Sequence, residues 1–241
     1  MCTASWLIQP EGFELFFNRD ESRGRGRARP PERLELEGVR ALAPVDADAG
    51  GTWLGVNEHG LALGLLNAAS APGSDARAAS AEPRSRGLLV RGLLAARSAR
   101  EALERLARES LEPYRGFTLA LFEAGREPLV HSWDGRELTP CAARLPLSSS
   151  SLDGVRAQAE RERVLADLLA RAAEPERELL ARFQASHAPE RGPWSPCMHR
   201  ADAVTVSASQ VRVDARAVAL RYAPGAPCTA EFGAWLELER V

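Results

Sequence analysis

Two stretches of this 241-residue chain double back on themselves as strands, with no room between their arms for a helix. In SWLIQPEGFELFFNRDE, two β-rich runs flank the turn Pro10-Glu11-Gly12, and Phe13, Leu15 and Phe17 fall on one face of the second run. In GGTWLGVNEHGLALGLLN, a Gly-rich entry leads to a strand at Thr52–Asn57, a tight turn at Glu58-His59-Gly60 and a return strand at Leu61–Asn67. Strands joined this closely pair antiparallel, because a parallel pair needs a crossover of about a dozen residues or more. The doubly wound dinucleotide-binding fold is disfavoured for the same reason, and no G-x-G-x-x-G turn opens a helix here.

The rest of the chain alternates strand blocks with helix pairs. A second β region runs from Leu34 to Val45, and residues 68–86, rich in Ala, Ser, Gly and Arg, read as a flexible loop. Gly87–Ala96 reads as a helix. Ser98-Ala99-Arg100-Glu101 has the pattern of a capping box, with Leu103, Leu106 and Ala107 following at helical spacing. Strands return at Phe117–Phe122 and Leu129–Trp133 around the turn Ala124-Gly125-Arg126. The Ala/Leu/Arg/Glu-rich region from Asp153 to Ala185 reads as two helices broken near Glu174-Pro175, their apolar stripes being core faces. The last third is β again, at Ala203–Ser207, Val211–Val213, Val218–Tyr222 and Phe232–Leu238. Two antiparallel sheets with helix pairs on their outer faces would bury every apolar surface. The expectation is therefore an α+β, four-layer αββα sandwich formed by one domain, residues 1–241.

A chain of this length and 45% hydrophobic content supports one sizeable core, and a net charge of -2 argues against a general polyanion binder. All basic side chains are arginine, read here as coding bias. The stretch RGRGRAR lacks the aromatic residues of a nucleic-acid platform and reads as a solvated loop or the rim of an anion site. Cys2, Cys141, Cys197 and Cys228 show no C-x-x-C spacing and read as reduced thiols. No signal-peptide pattern and no bilayer-length apolar run is present, so a cytoplasmic location is expected.

The residue with the most chemical meaning is Cys2. If Met1 is removed, Cys2 holds both a thiol and a free α-amine, whose reference pKa values, about 8.5 and about 7.7–8.0, both lie near neutrality. The amine then serves as base for its own side chain. No separate histidine is needed, and His59, His131, His187 and His199 show no catalytic pairing with a cysteine. Cys197-Met198-His199 offers two metal-ligand types but no second C-x-x-C or H-x-x-x-H partner, so it reads as a buried thiol beside a loop histidine. Neither a metal nor a cofactor is expected.

MCTASW, FFNRDESR, APVDADAGGTWLGVNEHGLALGLLN and CMHRADAVTVS together resemble the NRDE family, the transport and Golgi organisation protein 2-like proteins. That family in turn resembles the N-terminal nucleophile hydrolases of the choloylglycine hydrolase and penicillin V acylase branch, which have the αββα fold. The resemblance implies that Cys2 is the nucleophile and Arg19 the cation over its thiolate. It implies that Asp20 holds the α-amine and that Asn67 donates to the oxyanion. Asn18 stands as the alternative to Arg19 or Asp20, since a one-residue slip reverses a strand's faces. Where those hydrolases carry a further Asn, this chain has LSSSSLD, with Ser149 near that position. Arg200 is a candidate substrate or structural arginine. Trp53 and Gly50-Gly51 read as packing and turn residues.

Two functions follow. One is a cysteine hydrolase or acyltransferase acting on a non-peptide carbon–nitrogen bond of an acyl amide. The other is a non-catalytic scaffold that binds a small hydrophobic ligand such as haem or a lipid. For haem, His199 or Cys197 would be the axial contact, although no local haem motif is present. The expected partner is a small molecule, with the oligomeric state left open.

Overall fold

In strand β2 (Gly12–Ser22), Phe13, Leu15 and Phe17 point to one face and Phe16 to the other, and all four are buried. A strand apolar on both faces must lie inside a sheet covered on both sides. The computed structural model, which describes residues 2–26, 28–69, 84–172 and 176–241, provides that covering.

β2 pairs antiparallel with β1 (Cys2–Gln9), and this hairpin lies within a six-stranded sheet. Its order is β10-β1-β2-β11-β12-β13, with β10 at Leu147–Ser148, β11 at Ala203–Val213, β12 at Ala217–Ala223 and β13 at Leu236–Glu239. The second sheet runs in sequence order through seven strands: β3 (Arg29–Leu36), β4 (Val39–Val45), β5 (Leu54–Asn57), β6 (Ala62–Asn67), β7 (Phe117–Phe122), β8 (Leu129–Trp133) and β9 (Leu138–Cys141). Every pairing between named strands is antiparallel.

Three apolar clusters separate four layers. Trp6, Phe13, Phe17, Leu54 and Phe122 fill the space between the sheets. Helices α1 (Arg86–Leu93) and α2 (Ala99–Leu106) cover the outer face of the seven-stranded sheet, with Leu89, Val90, Leu106 and Leu119 among the buried contacts. Helices α3 (Gly154–Leu169) and α4 (Arg177–Ala185) cover the six-stranded sheet, where Val164, Leu180 and Phe183 meet Phe16. This is the expected αββα sandwich. Ser98 caps α2 as expected, with the Glu101 amide donating to Ser98 Oγ at 3.1 Å, but the return bond of the capping box is displaced by one residue: Glu101 Oε2 accepts from the Arg97 amide at 2.9 Å. No helix among the described residues is long and apolar enough to cross a membrane.

Several boundaries differ from the sequence expectation. The single β region at Leu34–Val45 is a hairpin, β3 and β4, turned by Glu37 (φ 52°) and Gly38 (φ 80°). The two short strands expected at 203–213 are one strand, β11, whose register shifts between Thr205 and Ser207. Of the expected final strand, Phe232–Leu238, only Leu236–Leu238 lies in a ladder, within a strand that ends at Glu239. Strands β9 and β10 were not expected. Residues 70–83 of the expected loop and the expected helix break near Glu174-Pro175 lie outside, or partly outside, the described residues, as does Met1.

Candidate active site

The tight turn after Gln9 fixes the register of the first hairpin and sets Cys2 directly opposite Arg19. Cys2 shares the inter-sheet face with Ala4 and Trp6, and Arg19 continues the row of Phe13, Leu15 and Phe17. The two residues therefore reach the same place, where the sheets part at the open end of the sandwich. A cleft of about 350 Å³ lies there, lined among others by Cys2, Arg19, Asp20, Trp53 and Asn67. Asn67 comes from the far sheet, as the last residue of β6. Cys2, Arg19, Asp20 and Asn67, four of the residues singled out from the sequence, thus border one cavity.

Cys2 is buried, and that burial pushes its thiol above the usual range. The positive chain terminus, Arg19 and the Asp20 amide pull it down, while the Asp20 carboxylate pushes it up. The net direction is upward, with burial the largest cause.

Arg19 is not an isolated cation. Its guanidinium lies 4.1 Å from the centre of the Trp53 ring and 3.0 Å from Asp46 Oδ2. Asp46 also accepts from Arg25 at 2.8 Å and from the Asp48 and Ala49 amides, both at 3.1 Å. Burial pushes the Asp46 carboxyl up, but these amides and the two arginines outweigh it and hold the group below the ordinary carboxylate range. Trp53, expected only to pack, thus forms a wall of the cleft and a platform for Arg19. Its indole N–H is buried and has no hydrogen-bond partner among the described residues.

Asp20 lies at the base of the cleft and accepts a 2.6 Å hydrogen bond from Thr205 Oγ1. Burial is the largest influence on its carboxyl and pushes it up, against the pull of Arg161, the chain terminus and Thr205. Arg161 sits 3.7 Å from Asp20 Oδ2 and donates to Thr3 Oγ1 at 2.7 Å, completely buried under the first hairpin. The sequence reading missed Arg161, yet a signal was present. On α3, Arg161 falls in line with Ala157, Val164 and Leu165, a charge inside an apolar stripe.

Three further candidates, Asn18, Ser149 and Arg200, lie outside the lining of this cleft. Asn18, on the opposite face of β2 from Arg19, gives its side-chain amide to the carbonyls of Gln184 (2.8 Å) and Pro196 (3.0 Å), pinning the end of α4 and the loop beyond it. Ser149 accepts a 3.0 Å hydrogen bond from the Cys2 nitrogen through Oγ, and its own amide donates to the Cys2 carbonyl at 3.0 Å. It clamps the backbone of the nucleophile and does not line the cleft. Arg200 is engaged with Asp202 and Ser151, and its carbonyl accepts from Arg23, again outside the cleft lining. One expectation needs correcting. Cys197 and His199 do have metal-type neighbours, since His187 and Cys228 converge on them from distant parts of the sequence.

Arg25, Arg84, Arg86 and Arg115 join Arg19 around the cavity, against the carboxylates of Asp20, Glu21 and Asp46. The balance is cationic and suits an anionic group on a bound molecule.

The fold is shared with solved structures of low sequence identity. Penicillin V acylase from Agrobacterium tumefaciens superposes with a TM-score of 0.57 at 14% identity, covering 98% of this chain and 86% of that one. A Caenorhabditis elegans orthologue of N-acylethanolamine-hydrolyzing acid amidase gives 0.60 at 12% identity, over 87% of this chain and 92% of that one. A mutant conjugated bile acid hydrolase from Clostridium perfringens gives 0.59 at 9% identity, over 99% and 92%. These likenesses establish the N-terminal nucleophile hydrolase fold. No curated protein matches the sequence. The family model described as Transport and Golgi organisation 2 matches residues 1–200, which is most of the chain and includes every residue bordering the cleft, and the chain therefore belongs to that family.

Proposed function

We propose that this protein is an N-terminal-cysteine hydrolase or acyltransferase that opens the carbon–nitrogen bond of a small, negatively charged acyl amide. The observation that carries the reading is the placement of Cys2: first residue of its strand, open to the cleft, with Arg19 opposite and its nitrogen held by Ser149. Similarity to a penicillin V acylase and an acid amidase ortholog supports the amide class.

In this reading removal of Met1 turns the Cys2 nitrogen into a free α-amine. The amine takes the Sγ proton as sulfur attacks the carbonyl carbon, and the carbonyl electron pair moves to oxygen. Asn67 and a backbone amide hold that oxyanion. When the oxyanion collapses, the ammonium returns the proton to the departing nitrogen and a thioester remains on Cys2. The amine then deprotonates water, or an acceptor amine in an acyltransferase, and the second attack releases the acyl group and restores the thiol. Arg19 stabilises sulfur as negative charge develops on it, and Asp20, fixed by Thr205 and Arg161, orients the ammonium. The cationic rim holds the negative end of the substrate.

The test is a peptide map after brief alkylation with a limiting thiol reagent near neutral pH and, on a separate unalkylated sample, incubation with N-acyl amides bearing a carboxylate. The expected result is loss of Met1, preferential labelling of Cys2 over Cys141, Cys197 and Cys228, and an acyl adduct on Cys2 that is missing from Cys2→Ala. Retention of Met1, or a Cys2 no more reactive than the other three, would remove the nucleophile and leave a ligand-binding scaffold as the better account.

A further inference from the structure

On the six-stranded side of the molecule, three separate segments bring four soft or borderline ligands together. His187 follows α4, Cys197 and His199 lie in the loop before β11, and Cys228 follows β12. Their ligand atoms all lie within 4.8 Å of one another. His199 Nε2 is 3.5 Å from Cys197 Sγ and 3.4 Å from Cys228 Sγ, and the His187 and His199 rings meet edge to face with centres 5.0 Å apart.

Those spacings have a simple geometric meaning. Tetrahedral zinc with Zn–S of about 2.3 Å and Zn–N of about 2.0–2.1 Å has sulfur–nitrogen edges of about 3.6 Å. The two observed sulfur–nitrogen distances, 3.4 and 3.5 Å, are nearly such edges. A second observation points the same way. His187 Nε2 is buried and has no hydrogen-bond partner among the described residues, an arrangement that costs free energy unless something satisfies the atom. Across the His199 ring, Arg191 reaches Nδ1 at 3.5 Å, at the outer limit of a hydrogen bond, which leaves Nε2 facing the sulfurs.

We propose that His187, Cys197, His199 and Cys228 form a structural site for one Zn²⁺, separate from the cleft. Two thiolates and two imidazoles are a donor set that zinc takes in closed, tetrahedral structural sites. On binding, each thiol gives up its proton and forms a bond to the ion, with no change of oxidation state. The ligand spacing suits an ion rather than an axial contact to a haem, which would need an open face beside His199 or Cys197.

The site also has a route to the catalytic residues. Met198, between two of the ligands, donates its amide to Thr205 Oγ1 at 2.8 Å and accepts from the Thr205 amide at 2.9 Å. Thr205 Oγ1 in turn donates to Asp20. The Pro196 carbonyl, one residue before Cys197, accepts from the buried Asn18. An ion that fixes this loop fixes the hydroxyl that orients Asp20.

The experiment uses the full chain, made without a histidine tag and carrying Cys2→Ala so that an N-terminal thiol and amine cannot chelate. Zinc is measured by atomic spectroscopy on the purified protein, and the chelator-stripped chain is titrated with Co²⁺. The expected result is about one zinc per chain, with cobalt giving the intense thiolate charge-transfer and tetrahedral d–d bands of a two-sulfur site. Adding Cys228→Ser should weaken the charge-transfer band and the retention of zinc, whereas adding Cys141→Ser, at an exposed position on β9, should change neither. Absence of zinc together with no thiolate bands in the cobalt titration would overturn the proposal, even if Cys228→Ser fails to fold. So would a non-reducing peptide map that finds Cys197 and Cys228 joined in a disulfide.

Discussion

Arg19 shares its charge before any substrate arrives. Its guanidinium pairs with Asp46, so the thiol of Cys2 feels only the part of that cation that Asp46 leaves uncompensated. The Asp46 carboxyl is held below its ordinary range, so its charged form favours the folded state. That contribution is present above the unfolded value of about 3.9 and fades as pH falls through the lower folded value. Asp46→Asn keeps an oxygen for the Ala49 and Asp48 amides but loses both ion pairs. The expected cost near pH 7 is about 1.5 kcal/mol, the low end for hydrogen bonds to charged groups. Urea midpoints measured from pH 7 to pH 3 should show the variant and the parent converging on the acid side. A difference that stays constant over the whole range would contradict this assignment. The same variant should speed Cys2 alkylation, because among the described residues Arg19 then has only Glu21, at 3.6 Å, to offset its charge. At this scale Cys2 and Arg19 were named through the family resemblance, with Asn18 left open as the alternative, and it is the paired hairpin that sets Arg19 opposite Cys2. Asp46 and Arg161 were not legible, because their meaning depends on contacts 27 and more than 100 residues away in sequence. Arg161 in particular looks like one more charge in RERV until the stripe it occupies is known to face β1 and β2.

The wall of the cleft depends on two backbones touching. Thr52 donates its amide to the Gly87 carbonyl at 2.9 Å, which ties the approach to β5 to the first turn of α1. A Cβ on Gly51 would lie 2.3 Å from the Gly87 carbonyl carbon and 2.6 Å from the Leu88 nitrogen. Gly51→Ala therefore must push α1 away, with an expected loss of about 1–3 kcal/mol from overpacking. Arg86, on the rim, moves with it. Gly154→Ala, in the first turn of α3, meets nothing within 4 Å and should instead gain up to about 1 kcal/mol. Thermal denaturation of the two variants side by side checks the contrast, and a Gly51→Ala midpoint equal to the parent's would refute it. The elements that were legible have strong local signals: hairpins with tight turns and helices with caps, such as Ser98 and Asp153. The missed ones lacked such signals. β9 contains Pro140 and survives as a strand because it lies at the edge of its sheet, where a missing amide costs no ladder bond. The β3–β4 turn places Glu37 at φ 52°, a conformation that its side chain does not announce, so the run read as one strand.

At the scale of the molecule, the family match stops at residue 200 while the fold does not. β11 lies beside β2 through ten register positions, from Ala203 opposite Ser22 to Val213 opposite Phe13. β11 and β12 together supply Val211, Val213, Val218, Leu220 and Tyr222 to the core between the sheets. The chain end then staples the two sheets at the end remote from Cys2. Arg240 donates to the Glu11 and Asp214 carbonyls, the Val241 amide to the Glu58 carbonyl, and Arg33 to the Glu237 carbonyl. A chain of residues 1–200 would expose the full edge of β2 and one side of the inter-sheet core. It would also lose Thr205 beneath Asp20. Such a chain should show no cooperative unfolding transition in urea, and its Cys2 should be alkylated no faster than Cys141 and Cys197. The residues that border the cleft all precede position 200, so a truncated chain that kept a selectively reactive Cys2 would mean that the first hairpin and the seven-stranded sheet make the site alone. The expected failure would assign the last 41 residues a different part: they contribute no residue to the cleft, but β11 covers the edge of β2, which carries Arg19 and Asp20, and sets Thr205 beneath Asp20.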